Sequence, residues 1–153
     1  MGVERRTEHE TARAVARSID VDARPNRVFD LLADPRQHSA FDGSGTVRAS
    51  TSGPDRLTLG SRFGMRMRRG LPYAISNTVV EYEQDRLIAW RHFFGHRWRY
   101  VLEPLDEDRT RVVEVFDWST ARIPGLLERT KAPQGNTRAI EQTLVRLKNL
   151  VEA

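Results

Sequence analysis

The sequence predicts one α+β domain in which a curved antiparallel β-sheet wraps around a long C-terminal α-helix. Five stretches of strand-like alternation follow one another between Gly60 and Trp118, and an amphipathic segment follows Asn136. Turns of two to four residues join these strands, too short for a parallel crossover, so neighbouring strands must pair antiparallel. Such a sheet can cover the apolar stripe of the terminal helix by curling around it.

The composition supports a single core and excludes several kinds of site. The chain has 153 residues, of which 39% are hydrophobic and 30% charged, as in ordinary globular domains. It has no cysteine, which rules out disulfides, thiolate metal sites and a thiol nucleophile. Without an apolar span or a secretory signal pattern, the sequence favours a cytoplasmic protein. We assign residues 1–13 to a flexible N-terminal tail and residues 14–153 to one domain.

The first part of the domain is expected to contain a strand, two short helices and an edge strand. Apolar residues alternate with polar ones over residues 15–21, which is typical of a half-buried strand. Pro25 then opens a helix that ends before Pro35, and a second helical turn covers residues 35–41. A weak strand at residues 46–51 lies among turn residues and is expected at the sheet edge.

Two helices are expected after the last strand. Residues 123–131 are predicted to form a short helix that could act as a lid. The terminal helix takes Asn136 as its N-cap. Its apolar stripe, spaced by four, three and four residues, consists of Ile140, Leu144, Leu147 and Val151.

Alternation with period two sorts the strand residues into an inner and an outer face. The inner face of the central strands receives Phe63, Met65, Met67, Ile88, Trp90, His92, Phe94, Trp98, Tyr100 and Leu102. In the last strand both alternating sets contain apolar residues, and we choose the face of Phe116 and Trp118 as inner, which places Glu114 inside. This face describes a mostly apolar pocket with a few polar groups, the alternative being a core filled by large aromatic side chains.

A family resemblance runs from about Ala14 to Val151. It is carried by the segments IDVDARPNRVFDLLADP, GSGTV, LGSRF, VVEYEQDRLIAWRH, WRYVLEPLDEDRTRVVEVFDWS and AIEQTLVRLKNLVE. Together they resemble the START/Bet v 1-like helix-grip superfamily (SRPBCC), and within it the bacterial polyketide cyclase/dehydratase and lipid-transport-like branch. The resemblance implies a deep cavity between the sheet and the C-terminal helix, in which members hold lipids, polyketides, hormones or quinones. It implies no single activity, since members include cyclases, carriers and toxin-like proteins.

We therefore expect a protein that binds, and in one interpretation transports, a hydrophobic or amphipathic small molecule such as a lipid, polyketide or quinone. No cofactor is expected, and the protein is expected to be a monomer or a dimer. The predicted ligand-binding residues are Phe63, Met65, Met67, Trp90, His92, Trp98, Tyr100, Glu114, Phe116, Trp118, Ile140 and Leu144.

An enzymatic alternative rests on His92 and Glu114. Both are assigned to the inner face, and a histidine–carboxylate pair could act as acid and base in a cyclase/dehydratase reaction. The sequence leaves open whether any reaction is catalysed. His92 and His96 have the spacing of a helical zinc pair, but Gly95 between them indicates a strand turn, so no metal site is expected.

A second alternative uses the outer face. The formal net charge is +4, and arginines are assigned to the outer side of neighbouring strands. Such a face could bind RNA, the ribosome or another anionic partner, although no aromatic stacking platform alternates with the arginines. The arginines of this predicted face are Arg62, Arg66, Arg68, Arg91, Arg97, Arg99 and Arg111.

Overall fold

The protein is described by a computed structural model that covers residues 2–92, 94–130 and 132–153. Within these residues the fold has eight β-strands and four α-helices. The strands are β1 (Glu4–Arg5), β2 (Ala14–Val21), β3 (Val47–Ser52), β4 (Arg62–Arg69), β5 (Leu71–Glu83), β6 (Leu87–Arg91), β7 (Arg97–Asp106) and β8 (Arg109–Asp117). The helices are α1 (Pro25–Leu32), α2 (His38–Phe41), α3 (Pro124–Arg129) and α4 (Ala132–Glu152).

All eight strands form one antiparallel sheet in the order β1-β2-β8-β7-β6-β5-β4-β3. Strands β4 to β8 are consecutive neighbours, which confirms the predicted meander. The first long strand, β2, pairs with the last strand, β8, and both strands contact α4, while β1 and β3 form the two edges of the open sheet. The α+β helix-grip architecture predicted from the sequence is therefore confirmed. No helix among the described residues has the length and apolar character needed to cross a membrane.

The N-terminal residues that the sequence assigned to a flexible tail have defined positions on the edge of the sheet. Glu4 and Arg5 pair with Ser18 and Arg17 of β2, and a 3-10 turn follows at Thr7–His9. The backbone N–H of Arg6 donates to the carbonyl of Ala16 at 3.1 Å. A charged segment without apolar periodicity can still add an edge strand, because the pairing uses backbone groups.

The helices between β2 and β3 close one end of the molecule. Pro25 occupies the first turn of α1, where its missing N–H costs nothing, and Val28, Phe29 and Leu32 are buried. A 3-10 turn at Pro35–Gln37 leads directly into α2, as the predicted second helical turn required. The side chain of Asp34 accepts a hydrogen bond from the N–H of Arg36 and thereby caps that turn.

The burial of β4, β6 and β7 follows the predicted alternation. On β4, Phe63, Met65 and Met67 are buried against α4 and the short helices, whereas Arg66 and Arg68 are exposed. On β8 both faces are covered, because Val113 and Val115 pack with Ala14 and Ala16 in a second small cluster on the outer side. Because both faces of β8 carry apolar, buried side chains, alternation alone could not show which face points toward the interior.

Three boundaries differ from the sequence-based expectations. Helix α4 begins at Ala132 rather than at Asn136, because Pro133 fits within a first helical turn and does not stop the helix. Helix α3 ends at Arg129, and Lys131 lies outside the described residues. Strand β6 ends at Arg91, so His92 begins a turn around Gly95, whose φ of 94° is a left-handed conformation suited to glycine.

Candidate functional site

A cavity of about 150 Å³ lies between the concave face of the sheet and α4. The residues before β4 contribute His38, Phe41, Asp42, Ser44, Thr46 and Val47 to its lining. The strands from β4 onward and the turn after β6 contribute Met65, Met67, Arg69, Tyr73, Ile75, Asn77, Trp90, His92, Trp98, Tyr100 and Glu114. Helix α4 contributes Asn136, Ala139 and Thr143.

Aromatic rings form much of the inner wall. The indole of Trp90 stacks on the imidazole of His38, with ring centroids 4.7 Å apart and an angle of 21° between the planes. Tyr100 lies 5.6 Å from Trp90, and Phe41 meets Tyr100 edge to face at 6.5 Å. These contacts fix the rings of three separate elements against one another, so the wall is preorganised.

His38 is a buried, neutral part of this wall. Its Nε2 lies 2.9 Å from the carbonyl oxygen of Leu32. Burial lowers the pKa of His38 to about 4, so the ring is neutral at pH 7 and Nε2 carries the proton that is donated to that carbonyl. The short α2 helix therefore places a rigid aromatic surface, and no charge, in the cavity.

Glu114 and Tyr100 form the buried polar pair of the cavity. They are opposite each other in the β7–β8 register, and the Tyr100 hydroxyl donates to Oε1 of Glu114 at 2.8 Å. Oε2 of Glu114 has no hydrogen-bond partner among the described residues, and the side chain is only 3% exposed. Burial raises the pKa of Glu114 well above its usual range; the Tyr100 hydrogen bond opposes this shift and Asp42 adds to it.

His92 has a different partner from the one that the enzymatic alternative required. Its ring stacks on His96 with centroids 4.8 Å apart, and no hydrogen bond joins His92 to Glu114 among the described residues. Burial, with a smaller effect from His96, lowers the pKa of His92 to about 3, and burial lowers the pKa of His96 to about 4. Both residues line the cavity without a hydrogen bond between them, so their role as an acid/base pair stays a prediction.

A second buried polar group without a hydrogen-bond partner among the described residues lines the cavity, and three exposed lining residues mark its opening to solvent. Asn77 of β5 is 2% exposed, and its Oδ1 has no hydrogen-bond partner in the described chain. Arg69 and Tyr73 line the cavity near the β4–β5 turn and are themselves exposed, as is Ser44 on the facing loop. We take these three exposed lining residues to mark the mouth.

The loop between α2 and β3 is held against α4 by a close backbone approach. The N–H of Gly43 donates to Oγ1 of Thr143 at 2.7 Å. A Cβ atom at Gly43 would lie 2.5 Å from the backbone nitrogen of Thr143 and 2.6 Å from the carbonyl oxygen of Ala139. Only glycine lets the loop come this close, so Gly43 sets the spacing between the mouth loop and the helix.

The predicted ligand-binding residues fall into two groups. Those that line the cavity are Met65, Met67, Trp90, His92, Trp98, Tyr100 and Glu114. The others are buried in the core and lie outside the cavity lining, namely Phe63, Phe116, Trp118, Ile140 and Leu144. They share the inner faces with the lining residues, but the cavity occupies only part of those faces and the remainder is filled by packing.

Several lining residues were not predicted from the sequence. Asn77, Ile75 and Tyr73 alternate on β5 with exposed positions, so the same period-two analysis applied to that strand would have found them. No such signal existed for His38 and Asp42, because a single helical turn and a loop have no periodicity that states which way a side chain points.

The arginines of the predicted outer face divide into two sets. Arg97 and Arg99 bind the carboxylate of Glu81 at 2.8–2.9 Å, and Arg111 binds Asp20 at 2.9 Å. The remaining four make no ion pair or side-chain hydrogen bond with any described residue, and they are Arg62, Arg66, Arg68 and Arg91. Within this predicted set, the arginines without an acidic partner among the described residues thus lie on β4 and β6. No group of three or more histidine, aspartate or glutamate side chains suited to a metal ion occurs among the described residues.

The fold and the cavity define a helix-grip domain, in which a curved antiparallel sheet and a C-terminal helix enclose an interior pocket. The chain belongs to the family described as polyketide cyclase/dehydrase and lipid transport, whose model matches residues 12–152. It is 41% identical over 138 residues to protein Rv0088 of Mycobacterium tuberculosis, covering 87% of this chain and 62% of that protein. The chain thus spans less than two thirds of that relative.

Solved structures share this fold at low sequence identity. A protein from Rhodobacter sphaeroides superposes with a TM-score of 0.72 at 13% identity, covering 98% of this chain and 97% of that one. The Polyketide_cyc-like protein Cgl2372 from Corynebacterium glutamicum superposes with a TM-score of 0.60 at 19% identity, covering 91% of each chain. These likenesses extend over the whole domain.

Proposed function

We propose that the protein binds a hydrophobic or amphipathic small molecule, of the size range of lipid, polyketide or quinone fragments, in the cavity between the sheet and α4. The observation that carries this proposal is a cavity with aromatic walls and a few unsatisfied polar groups, the general form of a small-molecule site. A core evolved for stability alone would fill this space, because empty volume weakens packing.

The dimensions favour a ligand whose buried part is about one ring in size. A cavity of about 150 Å³ is comparable to an engineered apolar cavity known to hold benzene. A longer ligand would extend through the mouth past Arg69 and Tyr73. Flat aromatic walls at Trp90 and Trp98 suit a planar or cyclic group.

The test is binding of a neutral fluorescent probe, N-phenyl-1-naphthylamine, followed by organic extraction and mass spectrometry of the purified protein. Ala139→Trp fills the cavity from α4 and is expected to lower probe affinity at least tenfold. Val145→Trp, at a 45% exposed position of the same helix, is the matched control and is expected to bind like the wild type. Equal binding by both variants would contradict the cavity as the binding site.

A second candidate function is contact with an anionic lipid surface through the β4–β5 turn. Between Gly43 and Val80 the sequence has one acidic residue, Asp55, and the arginines of β4 lack acidic partners among the described residues. Leu71 at this turn is 79% exposed. Cationic residues beside an exposed apolar side chain favour binding to the headgroup region of an anionic membrane.

Sedimentation with vesicles tests this second candidate. The wild type is expected to bind phosphatidylglycerol-containing vesicles more than pure phosphatidylcholine vesicles, with a decrease as salt is raised. Arg66→Ser combined with Leu71→Ser is expected to abolish that preference, whereas Arg27→Ser, an exposed position on α1, is expected to retain it. Retention of single-stranded RNA without vesicle binding would contradict the membrane candidate.

A further inference from the structure

Glu114 is the one buried carboxyl group among the described residues that line the cavity, and one of its two oxygens has no hydrogen-bond partner there. Oε1 accepts from Tyr100, whereas Oε2 has no partner among the described residues. The terminal torsion of a glutamic acid side chain is soft, so the carboxyl group can turn Oε2 toward a group in the cavity. A buried polar atom without a partner is unfavourable, and a bound molecule that supplies the partner removes this penalty.

The groups that face Glu114 from neighbouring strands offer it no positive charge. Tyr100 of β7 is neutral and donates to Oε1. Arg17 of β2 is opposite Glu114 in the strand register, but its guanidinium binds Glu10 at 3.4 Å and the carbonyl of Ala16 at 2.8 Å. His92, after β6, has its pKa lowered to about 3 and is neutral at pH 7.

Among the residues that the structure describes, the helical side of the cavity likewise offers no positive charge. Asp42, after α2, is acidic and raises the pKa of Glu114, and His38 is neutral at pH 7. Helix α4 lines the cavity with uncharged residues, Asn136, Ala139 and Thr143. Arg69 is the one cation among the described lining residues, and it lies exposed at the mouth.

An ionised Glu114 in these surroundings would be a buried charge without a counter-ion, so the neutral acid is the form that the fold favours. A neutral carboxylic acid has one O–H donor. Because Oε1 already receives the Tyr100 hydrogen, the proton resides on Oε2, which then needs an acceptor. The cavity therefore presents a hydrogen-bond donor where a carboxylate would otherwise present an acceptor.

We propose that the buried end of the ligand is uncharged and carries a carbonyl or ether-type oxygen that accepts a hydrogen bond from Oε2 of Glu114. This inference rests on the proposed binding function and specifies its ligand class. A carboxylate at the buried end would lie near the acidic Asp42 and far from Arg69, the one cation among the described lining residues, and is excluded. An anionic group can be accommodated only at the opposite end of the ligand, beside Arg69 at the mouth.

Three probes with the same ring test the charge preference. Cyclohexyl methyl ketone is neutral and has an acceptor, cyclohexanecarboxylate is anionic, and cyclohexylammonium is cationic with donors only. Titration calorimetry at pH 7 is expected to give at least tenfold tighter binding for the ketone than for either ion. Equal or tighter binding of the carboxylate would overturn the proposal, and so would tightest binding of the ammonium.

Two substitutions test the role of Glu114 directly. Glu114→Gln keeps an N–H donor and cannot ionise, and it is expected to bind the ketone within about threefold of the wild type. Glu114→Leu is similar in size and lacks the donor, and it is expected to weaken ketone binding about tenfold. Thermal unfolding of each variant checks folding independently, and equal ketone affinity in the wild type and Glu114→Leu would contradict the proposal.

The pH dependence of ketone binding gives a further test of whether the protonated Glu114 is the hydrogen-bond donor. Since the neutral acid is the donor, the affinity of the wild type for the ketone is expected to fall at alkaline pH, and the affinity of Glu114→Gln is expected to stay constant.

Failure of this inference is distinguishable from failure of the binding function. If the naphthylamine probe binds and the ketone preference is absent, the cavity binds ligands without this selectivity; if no probe binds, both proposals fail.

Discussion

Three neutral histidines lie in or beside the cavity, His38 buried and His92 and His96 half-buried, and this makes acid a specific stress on the fold. His38 is held by the carbonyl of Leu32 and the face of Trp90, while His92 and His96 stack on each other. Protonation would place a positive charge inside the aromatic wall, and for His92 and His96 it would place two such charges side by side. Burial accordingly lowers the pKa of all three below the usual value.

The free energy of unfolding is expected to fall as pH decreases from 6.5 toward 4. Over this range the unfolded chain binds protons on these histidines that the folded state does not bind, so stability rises with pH and is lost on acidification. His38→Gln keeps a donor for the Leu32 carbonyl but does not titrate. Urea unfolding at several pH values is expected to show a shallower pH slope for this variant, and an unchanged slope would contradict the assignment.

At the scale of elements, the position of the α2–β3 loop on α4 decides the shape of the cavity mouth. Gly43 meets the backbone of α4, and Asp42 next to it accepts hydrogen bonds from the N–H of Val47 and the hydroxyl of Ser44. Arg146 of α4 also donates to the Asp42 carbonyl at 2.6 Å. The backbone of the loop is therefore held directly against α4, and the space between them leaves little room for an added atom.

Gly43→Ala is expected to destabilise the protein by about 1–3 kcal/mol, because its Cβ would overlap helix backbone that cannot move without shifting α4. Gly135→Ala is the matched control within α4 itself, where nothing lies within 4 Å of the new Cβ. That control is expected to be stabilising by up to about 1 kcal/mol, because alanine favours the helix. Thermal unfolding measures both, and a neutral Gly43→Ala would contradict the close approach.

At the scale of the whole molecule, charge is distributed unevenly over the outer face of the sheet. Glu81 of β5 binds Arg97 and Arg99 of β7, and Arg99 also approaches Asp117 of β8 at 3.4 Å. This network connects strands across β6 and is partly shielded from solvent. Arg66 and Arg68 of β4 have no such partner among the described residues, and neither has Arg91 of β6, which is opposite Arg97 in the strand register. Unpaired arginines therefore occur both beside the network and on β4.

Glu81→Gln is expected to destabilise the protein by roughly 1–3 kcal/mol, since it leaves two partly buried arginines without their carboxylate. The Arg99 hydrogen bond holds the pKa of Glu81 below its usual range, so this stabilisation is present near neutral pH and is lost in acid. Glu83→Gln is the control, because its pair with Arg86 is exposed and worth little. Denaturant unfolding of both variants at pH 7 makes the comparison.

Different parts of the fold and site were predictable from the sequence to different degrees. Alternation placed Met65, Trp90 and Tyr100 on the inner face because strand geometry ties every second side chain to one side of the sheet. The same rule gave no decision for β8, where residues on both faces are covered. The choice of Phe116 and Glu114 as facing the interior then agreed with the main core and the cavity.

By itself, the sequence determined the strand succession, the terminal helix and the face that each central strand presents, since these depend on local periodicity and turn length. Tertiary structure alone decided which part of the concave face stays open, that His38 and Asp42 join it, and that Glu114 bonds to Tyr100 rather than to His92. The physical reason is that periodicity specifies a direction relative to the strand. Which side chains finally meet depends on sheet curvature and loop docking, which arise from contacts between residues distant in sequence.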